Sequence, residues 1–181
     1  MIGLTTGRET SQRLNSLLKE LAHTIPRARI VRRGKSGLDD LARRMFNDGL
    51  DYGLILQRWH GGPGRMDFFK VQADGLDSFM LSLILSGVKL RREYPNPRRA
   101  VAQAVSCDER ISEESQRLVL TLRKILGLSE MRSAADPGIK TTLHIGQLPG
   151  GTIRIAVASP PRFVEMGPSI LVSKLIWDSN A

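Results

Sequence analysis

The chain has 181 residues, 41% of them hydrophobic, with one cysteine, three histidines and a formal net charge of +9. That length suffices for one medium domain with a substantial core, or for two small lobes. The single Cys107 excludes an internal disulfide, and the scattered histidines lack the spacing of a zinc site.

In chain order, the first half reads strand, helix, strand, helix, strand, strand. A short apolar strand runs through Leu4 into Thr5-Thr6-Gly7-Arg8-Glu9-Thr10-Ser11. Thr6 followed by Glu9 has the pattern of a capping box, which predicts a helix starting near Gly7 with its N–H groups facing outward. Leu14, Leu17, Leu18, Leu21, Ala22 and Ile25 recur at helical spacing, and Pro26 stops the run. Ile30-Val31 is a short predicted strand. Ser36 is the predicted cap of a second helix that buries Leu38, Leu41, Ala42, Met45 and Phe46 and ends at Gly49. Tyr52 to Leu56 and Met66 to Val71 read as strands joined by a turn at Gly61 to Gly64.

The second half is predicted to repeat this order. A strand from about Phe79 to Leu90 leads to Asn96-Pro97, a cap and first-turn pair opening a helix with Ala100, Val101, Ala104 and Val105 on one face. Ser112 caps a longer helix, acidic at Glu113 and Glu114, apolar at Leu118, Val119, Leu122, Ile125 and Leu126, with Gly127 beyond it. Strands at Ile139 to Ile145 and Thr152 to Val157 flank the turn Leu148-Pro149-Gly150-Gly151. A last pair runs through Phe163 and through Ile170 to Trp177. Residues 1–90 carry 14 basic and 9 acidic groups and residues 91–181 carry 13 and 9, so the halves are matched in charge at +5 and +4.

The positive charge, with an isoelectric point near 10.4, favours RNA, DNA or an anionic membrane surface as partner. Twenty arginines against seven lysines tilt the choice toward nucleic acid, because a guanidinium forks onto phosphate and stacks on bases. GC-rich coding or a hot environment shifts basic residues too. The chain opens on no signal-peptide pattern, and its longest apolar run, Phe79 to Leu85, is too short to span a bilayer. A soluble, cytoplasmic protein in a reducing compartment is expected.

The densest basic cluster is Arg27, Arg29, Arg32, Arg33 and Lys35, with Arg43 and Arg44 on the next helix opposed only by Asp39 and Asp40. In a strand Arg27 and Arg29 share a face, and Arg8 and Arg13 beside them complete a positive groove suited to phosphates. The alternative is a solvated face with local ion pairs. The helix mouth beside Arg8 likewise reads either as an anion site or as an ordinary capped helix. A second cluster, Lys89, Arg91, Arg92, Arg98 and Arg99, surrounds Tyr94, which either stacks on a base or simply packs. Arg58-Trp59-His60-Gly61-Gly62-Pro63-Gly64-Arg65 lacks the lysine and Ser/Thr of a nucleotide P-loop and reads as a turn, with Trp59 packed against a lobe and Arg58 and Arg65 as RNA contacts. No catalytic or metal constellation is present in the sequence pattern, and no cofactor is expected.

Leu4 to Ser11, followed by Arg13-Leu14, Lys19-Glu20-Leu21 and Pro26, resembles the opening of the Brix-domain family of ribosome-biogenesis proteins. Gly7 stands where serine is common, and Glu9-Thr10 replaces the usual residue-proline pair. Arg33-Gly34, Asp51 before an apolar strand, Gly61 to Arg65, and Phe163-Val164-Glu165-Met166-Gly167-Pro168 leading into Leu171-Val172-Ser173-Lys174-Leu175 follow in the family's order. The chain resembles a compact archaeal member made of the domain alone.

The resemblance implies an α/β fold of two pseudo-repeated lobes, 1–75 and 76–181, within a single Brix domain. Each lobe would be a mixed sheet with packed helices, similar to the anticodon-binding domain of class II aminoacyl-tRNA synthetases. It implies a non-catalytic factor that binds precursor ribosomal RNA, assists subunit assembly and rRNA processing, and meets ribosomal proteins or other assembly factors. It associates the Phe163 to Lys174 segment with RNA, although that segment also reads as sheet core. The expected RNA contacts are Arg8, Arg13, Arg29, Arg32, Arg33, Lys35, Arg43, Arg44, Arg58 and Arg65, then Arg91, Arg92, Arg98 and Arg99. A scaffold that binds acidic protein partners, and an RNA-processing or tRNA-modifying enzyme, are the competing readings.

Overall fold

A computed structural model describes residues 1–59, 62–76, 78–131, 136 and 138–178. The fold is mixed α/β, and the chain divides into two compact units. The first comprises Met1–Ala22, Arg27–Leu85 and Lys174–Ala181; the second comprises His23–Pro26 and Ser86–Ser173.

In the first unit, strand β1 (Ile2–Thr6) leads to helix α1 (Gln12–Thr24), β2 (Ala28–Ile30), α2 (Leu38–Asn47), β3 (Tyr52–Trp59), β4 (Gly62–Lys70) and β5 (Leu81–Lys89). The strand order is β2-β1-β3-β4-β5. β1 is parallel to both neighbours, with Leu4 opposite Ile30 and Leu54, whereas β3, β4 and β5 pair antiparallel.

α1 starts at Gln12, five residues after the predicted Gly7. Thr6 is engaged in the β1–β3 ladder opposite Leu56, and Gly7 N–H donates to Leu56 O at 2.8 Å. Residues 7–11, which a Thr6 cap would open into a helix, are not helical. Ser11 is the cap instead: its Oγ accepts from Leu14 N at 3.2 Å and its carbonyl from Asn15 N at 2.9 Å. The stripe Leu14, Leu17, Leu18 and Leu21 is buried as predicted.

α2 is capped by Gly37 rather than Ser36, with no side-chain cap bond. Its Leu41, Ala42 and Met45 are buried with Leu50, Ile55, Phe69 and Val71. Phe46, expected inside, is 48% exposed. It follows Met45 directly, at the edge of the apolar stripe, and Leu50 fills the place beside Met45 after its N–H bonds Met45 O at 2.9 Å.

The second unit holds a short 3-10 turn (Arg91–Glu93), β6 (Ala104–Cys107), α3 (Glu113–Leu126), β7 (Ser129–Glu130), β8 (Thr142–Gln147), β9 (Ile153–Ser159) and β10 (Val164–Trp177), in the strand order β10-β9-β8-β6-β7. α3 matches its prediction. Ser112 Oγ accepts from Ser115 N at 3.2 Å, and Gly127 closes the helix in the left-handed region at φ +63. The helix lies against β6 and β8.

The helix predicted at 97–105 does not form. Its last residues are β6, in which Ala104 to Cys107 pair in parallel with Thr142 to Ile145. Pro95 and Pro97 bias the residues before them to extended backbone, and Val101 and Val105 favour a strand. The predicted last pair of strands is one strand, β10, with an irregularity between Glu165 and Ser169.

Candidate nucleic-acid interface

The first unit contains a cleft of about 700 Å³ at the carboxyl ends of its parallel strands, where ligands of open α/β sheets generally bind. Four segments build it. Gly7, Arg8 and Glu9 follow β1; Arg33, Gly37 and Leu38 come from the passage between β2 and α2; Ile55, Gln57 and Arg58 come from β3; Phe79 precedes β5. Parallel pairing of β1 with β2 and β3 brings the ends of three distant segments together.

A β-bulge interrupts the β3–β4 ladder beside this cleft. Gln57 pairs with Arg65 but Arg58 pairs with Pro63, so the register skips Gly64. Gln57 and Arg58, the β3 residues on either side of this register shift, both line the cavity. Gln57 is held from behind, because its amide donates to Asp67, which is fully buried and also accepts from Arg65 Nε and Ser82 Oγ.

The cleft is electropositive. Partial burial, then the positive charge of Arg8, lowers the proton affinity of Arg33 from its ordinary value. Arg33 Nε donates to Ser36 O at 3.3 Å, and Arg44 Nη2 donates to the carbonyls of Arg32 and Arg33 at 3.3 and 3.2 Å. Arg44 thus braces the loop that presents Arg33.

The predicted contacts therefore divide. Arg8, Arg33 and Arg58 meet on the cleft; Arg32 and Lys35 are exposed on the loop that carries Arg33, and Arg29 is exposed on β2. Arg13 lies in the first turn of α1. Arg43 is engaged by Asp40 at 2.8 Å. Arg65 is held by Asp67 and Ser82 and stands 5.9 Å over the Phe79 ring, a structural post rather than a free cation. Arg27 does not share a strand face with Arg29, since β2 begins at Ala28 and Arg27 has φ +57. Trp59, expected to pack, is 66% exposed. His60 and Gly61 of the predicted turn lie outside the described residues.

In the second unit Arg91 and Arg92 sit in the 3-10 turn, while Arg92, Arg98 and Arg99 are exposed. Tyr94 cannot stack on a base. It is 6% exposed, its hydroxyl is hydrogen-bonded to Glu165 at 3.0 Å and to Ser169 at 2.6 Å, and Lys89 Nζ lies 4.2 Å from its ring centroid. Glu165 also accepts from Arg154; of the segment from Phe163 to Lys174, residues 166–170 and Val172 are buried, while Val164, Ser173 and Lys174 are exposed.

A smaller cavity of about 220 Å³ in this unit is lined by Asp108, His144, Arg154, Phe163 and Glu165, among others. His144 bonds Ser106 Oγ through Nδ1 at 2.9 Å and Asp108 through Nε2 at 3.0 Å, and it stacks on Phe163. Sequence spacing did not reveal this trio, because strands β6 and β8 assemble it across 38 residues. Ser106 is 5% exposed and accepts the Thr142 hydroxyl, so it does not offer the reachable nucleophile of a hydrolase.

Among the described residues no group of three or more His, Cys, Asp or Glu is placed to hold a metal ion, and no helix is long and apolar enough to cross a membrane.

No family model matches the chain. It is 30% identical over 138 residues to a probable Brix domain-containing ribosomal biogenesis protein of Pyrococcus horikoshii, covering 74% of this chain and 55% of that protein. To the protein of the same description from Aeropyrum pernix it is 33% identical over 90 residues, covering 50% of each. The chain spans about half the length of these curated relatives. Among solved structures it resembles a probable ribosomal biogenesis protein from Aeropyrum pernix K1, with a TM-score of 0.75 and 23% identity over 96% of this chain and 95% of that one. It also resembles Mil, an archaeal Imp4-like protein, with a TM-score of 0.68 and 18% identity over 98% and 100% of the two chains. At these identities the structural likeness is one of fold.

Proposed function

Because the chain belongs to the Brix-domain family, we propose that it is a non-catalytic ribosome-biogenesis factor that grips precursor ribosomal RNA through the arginine cleft. Its relatives are named for ribosomal biogenesis, a process whose central polyanion is ribosomal RNA. The observation that carries the reading is the convergence of Arg8, Arg33 and Arg58 on one cavity. Like charges are held close there although Arg33 is partly desolvated, and a phosphate relieves both costs at once.

Arg32, Lys35 and Arg29 extend this positive surface, and Arg92, Arg98 and Arg99 supply a second set of phosphate contacts on the other unit. Phosphate contacts fix register without reading sequence, which suits a factor that recognises RNA by shape.

The test is binding of a structured ribosomal RNA fragment across a salt series. Affinity is expected to fall steeply as salt rises, and replacing Arg8, Arg33 and Arg58 by alanine should reduce the log–log slope by roughly two to three. Salt-insensitive binding, or none, contradicts the reading.

A further inference from the structure

A phosphate ridge needs only cations, yet the arginine cleft also has an apolar floor. Leu38, Ile55 and Phe79 line it together with Arg8, Arg33 and Arg58. The surface of an RNA duplex presents phosphates and sugars and leaves such a floor unfilled. An unpaired nucleotide supplies both parts, a phosphate for the guanidiniums and a base for the apolar wall.

The strand that carries Arg58 also exposes an aromatic residue. Trp59 follows Arg58 directly and is 66% exposed, the highest value among the large hydrophobic side chains found exposed in the described residues. Its root is closely packed. Gly64, the residue skipped at the bulge, lies so close that a Cβ there would meet Trp59 Cβ at 2.0 Å. An exposed indole on the residue that follows a cleft-lining arginine matches how single-stranded nucleic acid is held, by backbone charge contacts and by stacking of bases on aromatic side chains.

We infer that the cleft takes single-stranded RNA, with an unpaired base stacked on the Trp59 indole while the adjoining phosphates lie on Arg58, Arg8 and Arg33. This rests on the RNA-binding reading above and narrows it to unpaired segments.

The chain has two tryptophans, so a Trp177→Phe background makes Trp59 the sole fluorescent reporter. The probes are a short single-stranded RNA and the duplex of the same sequence, each titrated into the whole protein. The single strand should quench Trp59 and bind more tightly than the duplex. Trp59→Ala should weaken the single strand roughly tenfold with little effect on the duplex, and Trp59→Phe should restore part of the loss. Equal affinity for the two RNAs, with Trp59→Ala neutral and no quenching, overturns the inference and leaves the arginine cleft standing as a phosphate site. If neither RNA binds, the RNA-binding reading falls together with the inference.

Discussion

Arg8 and Arg33 line one cleft and repel each other, an arrangement that weakens the folded state and strengthens anion binding. Both effects are measurable in one variant. Arg8→Ala should leave the melting temperature unchanged or slightly higher, because a like charge is removed, while RNA affinity falls. A falling melting temperature would mark Arg8 as structural. Arginine stays protonated across the physiological range, so this repulsion gives stability no pH dependence there. Cys107 does titrate within experimental reach. Burial, then the negative charges of Glu130 and Asp108, pushes its thiol above the ordinary value. The folded state holds that proton more tightly than the unfolded chain, so this contribution to stability is complete below the unfolded value and is lost as pH rises through the folded one. Alkylation of Cys107 at neutral pH should be slower than that of a free thiol, with its pH profile moved to the alkaline side, and Glu130→Gln should move the profile part of the way back. An unshifted profile would remove Glu130 and Asp108 from the account.

At the scale of elements, the start of α1 turns on which side chain caps it, the expected Thr6 or the observed Ser11. Ser11→Ala should cost about 1 kcal/mol of stability in denaturant unfolding, whereas Thr6→Ala should leave the cap intact, because Thr6 belongs to the β1–β3 ladder. Comparable losses at the cap from both would restore the earlier start. The same contrast shows what was legible in the sequence. α3 was legible because Ser112, the acidic first turn and Gly127 are local signals that its structure uses directly. The 97–105 segment was misread because Ala100, Val101, Ala104 and Val105 also fit a helical period, and what decides them is pairing with β8, nearly 40 residues away in sequence. Phe46 failed for a related reason: periodicity marks the stripe but not its edge.

For the molecule as a whole, the density of arginines was readable and its geometry was not. Arg8, Arg33 and Arg58 stood out in the sequence and Phe79 did not; strand pairing is what brings these separate segments to one cleft. Arg65 and Tyr94 looked available by composition and are consumed by Asp67 and by Glu165 and Ser169. Family membership was carried by several short motifs in one order, each weak alone, and the proposed link between the cleft and ribosome biogenesis rests on it. The most direct test of that connection is crosslinking of the protein to RNA in the cells that make it, with sequencing of the bound fragments, for the natural protein and for the Arg8→Ala, Arg33→Ala double variant. The account predicts enrichment of precursor ribosomal RNA that falls sharply in the double variant. Enrichment of other RNA classes, no enrichment above background, or enrichment that survives both substitutions would contradict it.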